Sequence, residues 1–333
     1  MKTEILLPTE ENYEKCGQLI RSGQLVAFPT ETVYGLGANA LDLDAVGKVY
    51  AAKGRPSDNP LIVHIASPDD IGKVALYVPD KAKAVIEKFM PGSVTVVMPK
   101  RPEIPDCVTG GLNTVAVRIP SHPVALRFLQ ACRVPVCAPS ANTSTRPSPT
   151  CAMHVYDDLN GKIAAILDGG NCDVGVESTV IDFVGARPRL LRAGGTPVEE
   201  LEKVTGPICR EVKSDRPLCP GMKYKHYAPA AKVTVVLPGG DQQQKAAALY
   251  DSLTAQGKKT VILALSEHIG QYADRQTIDV GKNSREYAHN LFAALRLCDK
   301  REYDAAIAEG VDESGYGLSV MNRVCKSAGG DVI

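Results

Sequence analysis

The chain has 333 residues, with 38 Lys and Arg against 38 Asp and Glu, no Trp and 5% aromatic residues. A net charge of zero excludes a bulk nucleic-acid binder, which needs clustered excess cations, and so few aromatics argue against stacking on single-stranded nucleic acid. Apolar residues at 44% suffice for a core, and the length predicts two domains at roughly 100–200 residues each.

Met1 to Glu11 is acidic with a short apolar run, unlike a signal peptide, and no stretch reaches the ~18 apolar residues of a membrane span. Strand-like runs follow at 25–28, 61–65, 94–98, 114–119, 134–138, 164–167, 178–183 and 188–192. Helices are predicted over 44–53 and 80–90, the latter stopped by Pro91-Gly92. Another begins at Ser67-Pro68, where a cap precedes Pro in the first turn, and one follows from 197 to 204. From 206 to 231 the pattern dissolves around Pro207, Pro217, Pro220, Gly221 and Pro229. A second rhythm then sets in: strands at 232–237, 259–265 and 305–308 alternate with helices at 242–255, 284–299 and 317–327. That order predicts a small parallel α/β domain. The expected organisation is a domain over 1–206, a linker over 207–231 and a second domain over 232–333.

The ten Cys are scattered without a C-x-x-C pair, so reduced thiols are expected rather than zinc ligands or disulfides. There is no P-loop. Gly35-Leu36-Gly37-Ala38-Asn39-Ala40 matches G-x-G-x-x-A, but lies beyond its strand run and opens no helix; a glycine-bearing turn is the better reading.

Five segments collect hydroxyls, amides and cations at strand ends: 29–37, 53–61, 114–120, 138–144 and 176–182. Such donors suit anionic oxygens, so positioning and charge stabilisation are expected rather than covalent catalysis. Arg118 lies inside an apolar strand and needs an anionic partner, either a ligand or a carboxylate such as Asp168 or Asp182. Lys53 and Arg55, taken alone, also read as solvated charges at a helix end. Ser140 and Asn142 follow a strand-ending Pro, where turn chemistry is the alternative. His64 by itself reads as a hydrogen-bonded core histidine.

These residues carry a resemblance. Pro29-Thr30-Glu31-Thr32-Val33-Tyr34-Gly35-Leu36-Gly37, the K-x-R of Lys53 and Arg55, the S-x-N of Ser140 and Asn142, residues 174–182, Leu190-Leu191-Arg192 and residues 220–229 appear in order. Over about 10–230 the chain resembles the two-domain threonylcarbamoyl-AMP synthases. These have a YrdC-type catalytic domain and a C-terminal Sua-type domain. The resemblance implies an open twisted α/β catalytic domain with a concave cavity, plus a small Rossmann-like parallel α/β domain.

It implies a nucleotidyltransferase that joins L-threonine, bicarbonate or CO2, and ATP into L-threonylcarbamoyladenylate and pyrophosphate. A downstream threonylcarbamoyl transferase complex would use the product to modify tRNA next to the anticodon. By motif position, Thr32, Tyr34, His64, Arg118 and Ser178 would bind threonine. Lys53 and Arg55 would be catalytic and face the phosphates. With Asn59, Ser140, Asn142, Ser148 and Arg192 they would bind the nucleotide, and Mg2+ would arrive with ATP. Lys223, Lys225, His226 and Tyr227 would form a lid over the site. A cytoplasmic location is expected, with no membrane; tRNA is a candidate further partner, and the sequence leaves direct contact with it open.

The chain departs from the family pattern at Thr145, where Gly is frequent, at Ala193 and at Cys219. Two other classes fit parts of the pattern. One is a non-catalytic double-stranded RNA or tRNA-binding module; the other is a carbamoyltransferase of metal-centre maturation, whose C-x-x-C pairs are absent here. Charge is uneven under the neutral total. Residues 1–206 carry a net −2, 232–333 a net −1, and the linker 207–231 a net +3.

Overall fold

The computed structural model describes residues 2–211, 217–220 and 227–333. The chain divides into two compact units, one of Met1–Ser144, Ser148–Asp173 and Glu177–Lys223, the other of Thr145–Pro147, Val174–Val176 and Tyr224–Ile333.

The first unit runs β1 (Glu4–Leu6), α1 (Glu10–Arg21), β2 (Val26–Phe28), β3 (Gly35–Asn39), α2 (Leu43–Lys53), β4 (Ile62–His64), α3 (Asp80–Phe89), β5 (Val94–Pro99), α4 (Asp106–Thr109), β6 (Thr114–Arg118), α5 (Pro123–Cys132), β7 (Val136–Cys137), α6 (Ala152–Leu159), β8 (Ala165–Leu167), β9 (Thr179–Asp182), β10 (Arg189–Arg192) and α7 (Val198–Thr205). Its ten strands form one mixed sheet in the order β1-β8-β2-β3-β7-β4-β6-β5-β9-β10. The helix expected after Ser67 is a 3-10 turn, Pro68–Lys73, capped by the Ser67 hydroxyl.

Local chemistry sets these elements. Asp42 caps α2 by accepting from the Asp44 and Ala45 N–H groups, and Gly54 closes it in the left-handed region at φ 61°. That stop places Lys53 in the last turn, on the buried side. On α1, Tyr13, Cys16 and Ile20 pack with Phe128, Leu129 and Cys132 of α5 beside Phe28 of β2. The helices approach so closely that a Cβ on Gly17 would lie 2.4 Å from the Ala131 carbonyl oxygen.

One expectation is corrected here. Residues 35–39 form strand β3, paired antiparallel with β2 and β7, not a glycine turn. The reason is packing. A Cβ on Gly35 would meet the Phe28 ring at 3.2 Å, and one on Gly37 would meet Val136 Cγ1 at 3.0 Å. The glycines leave room for Phe28 beneath the sheet rather than supplying a bend.

The second unit holds β11 (Lys232–Val236), α8 (Gln242–Ala255), β12 (Thr260–Ala264), β13 (Thr277–Asp279), α9 (Ser284–Lys300), β14 (Ala305–Glu309) and α10 (Gly317–Ser327). Its four strands are all parallel, in the order β11-β14-β12-β13. Glu309, fully buried at the end of β14, accepts from the Leu265 N–H at 2.7 Å and from the Tyr272 hydroxyl. It thereby ties two strand ends together.

The described parts of the 207–231 stretch are ordered on their units. Cys209 exchanges backbone hydrogen bonds with Pro188 and Leu190 beside β10. Cys219 is buried among Ile62, Val97, Ala116, Val180 and Leu191. No disulfide joins any of the ten cysteines, and no helix among the described residues is long and apolar enough to cross a membrane.

Candidate active site

Loop 29–34 leaves β2 and is fixed by its own hydroxyls. The Thr30 hydroxyl donates to Val33 O at 2.6 Å, so it must accept from the Thr32 hydroxyl at 2.8 Å. Thr32 Oγ1 in turn accepts from Arg118 Nη1 at 2.8 Å. The proton order therefore runs one way, Arg118 to Thr32 to Thr30 to the main chain. Backbone bonds from Leu36 N to Pro139 O, Ala141 N to Tyr34 O and Tyr34 N to Pro149 O zip this loop to the segment bearing Ser140 and Asn142.

Arg118 ends β6 and is 4% exposed. Its Nε donates to Gly92 O at 3.3 Å. Its Nη2 stands 2.8 Å from Glu31 Oε1. That contact is a charge pair lying off the N–H direction, so Nη2 makes no hydrogen bond within the described protein. The internal partner is thus Glu31, not Asp168 or Asp182 as the sequence suggested. Asp182 pairs with Arg189, and Asp168 accepts from Gly170 N. The correction has a topological cause: the loop after β2 reaches the end of β6, and sequence spacing does not show that.

His64 lies opposite Arg118 in the parallel register of β4 with β6. It is buried and contacts Phe28 edge-on. Burial, reinforced by the Arg118 charge, pushes its pKa down to about 3. It is therefore neutral near pH 7. Its Nδ1 faces Ile62 O at 3.2 Å and must carry the proton, which leaves Nε2 as an acceptor. Tyr34 donates to Gly170 O at 2.7 Å and accepts from Gly169 N, and burial raises its pKa. Its hydroxyl is held as a neutral donor.

Lys53 is 2% exposed, which sets aside a solvated helix-end charge. Its ammonium donates to Ser140 O and Asn142 O, each at 2.5 Å. The Ser140 hydroxyl bonds Asn142 Oδ1 at 2.5 Å. Lys53 thus gathers the S-x-N segment around one cation. Arg55 donates to Pro60 O at 3.1 Å and to Asn59 O, bracing the 55–60 loop. Asn59 is 1% exposed and its Oδ1 has no hydrogen-bond partner.

Beside β9, Arg192 donates through Nε to Ser178 O and through Nη2 to Ser178 Oγ, both at 3.1 Å. Ser178 Oγ is also 2.7 Å from Thr95 Oγ1. Ser148 donates to Glu177 at 2.7 Å. The Thr179 N to Ser93 O bond and the Ser93 hydroxyl bonded to Glu31 join this group to the Arg118 group. Thirteen sequence-predicted positions are described; Lys223, Lys225 and His226 lie outside the described residues. Tyr227 belongs to the second unit, where its ring stacks on Phe292 at 5.1 Å. Sequence reasoning missed Glu31, Thr30 and Thr95 as site members. The signal for Glu31 was its being one of the few acids among the five donor-rich segments.

Two family models match. Sua5_yciO_yrdC, described as Telomere recombination, covers 18–194, and Sua5_C, described as Threonylcarbamoyl-AMP synthase, C-terminal domain, covers 196–329. The Threonylcarbamoyl-AMP synthase of Pyrococcus abyssi is 48% identical over 94% of this chain and 93% of its own length. The chain belongs to the threonylcarbamoyl-AMP synthase family. The family's Bacillus subtilis member is 43% identical over 99% of this chain and 97% of its own. The crystal structure of P. abyssi Sua5 complexed with L-threonine matches with a TM-score of 0.94 at 45% identity, over 100% of this chain and 99% of that one. E. coli YciO, at 20% identity and a TM-score of 0.52, shares the fold over 58% of this chain.

Proposed function

We propose that this protein condenses L-threonine, bicarbonate or CO2, and ATP into L-threonylcarbamoyladenylate and pyrophosphate. The observation that carries the reading is Arg118, a buried guanidinium with Nη2 free of hydrogen bonds, in a chain whose relatives bear that name. The Pyrococcus relative was solved with L-threonine, which bears a carboxylate to which Nη2 would donate.

The threonine amine is carboxylated, and a carbamate oxygen then attacks the α-phosphorus of ATP while pyrophosphate leaves. Two anions must meet, and at 4 Å and an effective ε near 20 a like-charge pair costs about 4 kcal/mol. Lys53, Arg55 and Arg192 offset this. Arg118, Thr32, Tyr34, His64 and Ser178 position the amino acid. Asn59, Ser140, Asn142, Ser148 and Arg192 meet the nucleotide. The Asn59 Oδ1 without a partner suits a donor such as a ribose hydroxyl or a phosphate-bound water. Mg2+ arrives with ATP, held by phosphate oxygens and water; among the described residues no group of three His, Cys, Asp or Glu could hold a metal ion.

The domains are read as a catalytic part over 1–206, a linker over 207–231 that closes the site, and a small α/β part over 232–333. The product feeds a transferase complex acting on tRNA. Ten cysteines with no disulfide among them support a cytoplasmic setting. Incubation with ATP, bicarbonate and L-threonine, followed by mass spectrometry, tests the reading. The mixed carbamate–phosphate anhydride is expected, and its absence alongside intact ATP overturns it.

A further inference from the structure

Glu31 and Arg118 form a buried pair, 7% and 4% exposed at the side chain, with Nη2 and Oε1 2.8 Å apart. Glu31 Oε2 accepts from Ser121 N at 3.1 Å and Oε1 from the Ser93 hydroxyl at 3.4 Å. A carboxylate offers about four acceptor positions, so capacity remains. Arg118 is separately pinned through Nε and Nη1, while Nη2 makes no hydrogen bond. An unfilled donor of one charge thus stands beside an unfilled acceptor of the other.

A plain anion that reaches Arg118 must also approach the Glu31 carboxylate, and like charges in a nearly dry site repel strongly. A zwitterion meets no such conflict. In an α-amino acid the carboxylate and the ammonium are held on one carbon, and the pair offers each its complement. We propose that Glu31 is a specificity-determining residue that takes the α-ammonium of the substrate while Arg118 takes its carboxylate. This reserves the subsite for an amino acid and turns away phosphate and bicarbonate, the other anions the reaction requires. The inference rests on L-threonine being the substrate.

Isothermal titration of wild type and Glu31→Gln with L-threonine, 3-hydroxybutyrate (threonine without its amine) and inorganic phosphate tests it. Wild type should bind 3-hydroxybutyrate at least about tenfold more weakly than L-threonine, the scale of one charge-assisted hydrogen bond. In Glu31→Gln that ratio should collapse toward one, and phosphate should begin to compete. A merely structural role would weaken all ligands together and keep the ratio, which overturns the proposal. If Glu31→Gln does not fold, the wild-type ratio decides: equal binding of L-threonine and 3-hydroxybutyrate overturns it, and Glu31→Asp should give an intermediate ratio. Wild type failing to bind L-threonine at all would instead overturn the reading of the substrate.

Discussion

Lys53 has two duties at the residue scale. It supplies positive charge, and it satisfies the carbonyls of Ser140 and Asn142. Lys53→Met should therefore abolish most pyrophosphate release and also cost about 1–3 kcal/mol in chemical denaturation, because buried carbonyls lose a charged donor. Arg55 is partly exposed and mainly braces a loop, so Arg55→Ala should lose activity with a smaller stability change. Equal stability losses for both variants would contradict this division.

His64 gives a pH signature. Its folded pKa lies below its unfolded value, so between about 3 and 6.5 the unfolded chain binds a proton that the native site refuses. The contribution is complete above about pH 6.5 and is lost as pH falls. At pH 5 this amounts to up to about 2 kcal/mol. His64→Gln should flatten that part of the stability profile, measured by urea melts from pH 7 to 5. An unchanged slope would mean that other groups set it.

Two backbone positions matter at the scale of elements. Strand β3 depends on having no side chain where Phe28 and Val136 come close. Gly37→Ala should destabilise by about 1–3 kcal/mol through overpacking, read as a lower midpoint in urea melts. Thr145 sits at φ 75°, a left-handed conformation costly for a β-branched residue. Thr145→Gly should stabilise by about 1 kcal/mol, read as a higher melting temperature. The strand runs named from the sequence, the helix over 44–53 and the alternation of the second unit were legible because apolar periodicity is a local property, whereas the three-residue strands β1 and β13 are too short to show it. Helix α1 carries the same local signal, since Tyr13, Cys16, Gly17 and Ile20 recur at helical spacing. The reading of 35–39 failed for a different reason: a glycine pair signals a turn or a close approach, and only the neighbour across the sheet decides which.

For the whole molecule, the 207–231 stretch contributes to the first unit's core at Cys219. Cys219 fills a cluster with Ile62, Val97, Ala116, Val180 and Leu191. A chain cut before Gly206 should expose that cluster, lose stability and bind a hydrophobic dye. A fragment as stable as full length would show that the stretch is only a tether. Substrate choice belongs to this scale too. Threonine differs from serine by one methyl, worth about 1–3 kcal/mol in a fitted pocket, so serine should react about 10- to 200-fold less efficiently. Equal kcat/KM for both would refute a threonine-shaped pocket.

The neutral total charge speaks only against a protein built as a bulk polyanion binder. Residue order determined more: the motif set, the parallel tail and the family are properties of the string itself. Tertiary structure decided which charges face one another. Arg118 sits 87 positions beyond Glu31, and nothing local to either names the other; a loop after β2 and the end of β6 bring them to 2.8 Å. Buried charge is costly unless paired, so the fold had to supply a partner for Arg118. Sequence could require that partner, but only the packing of the sheet could choose it.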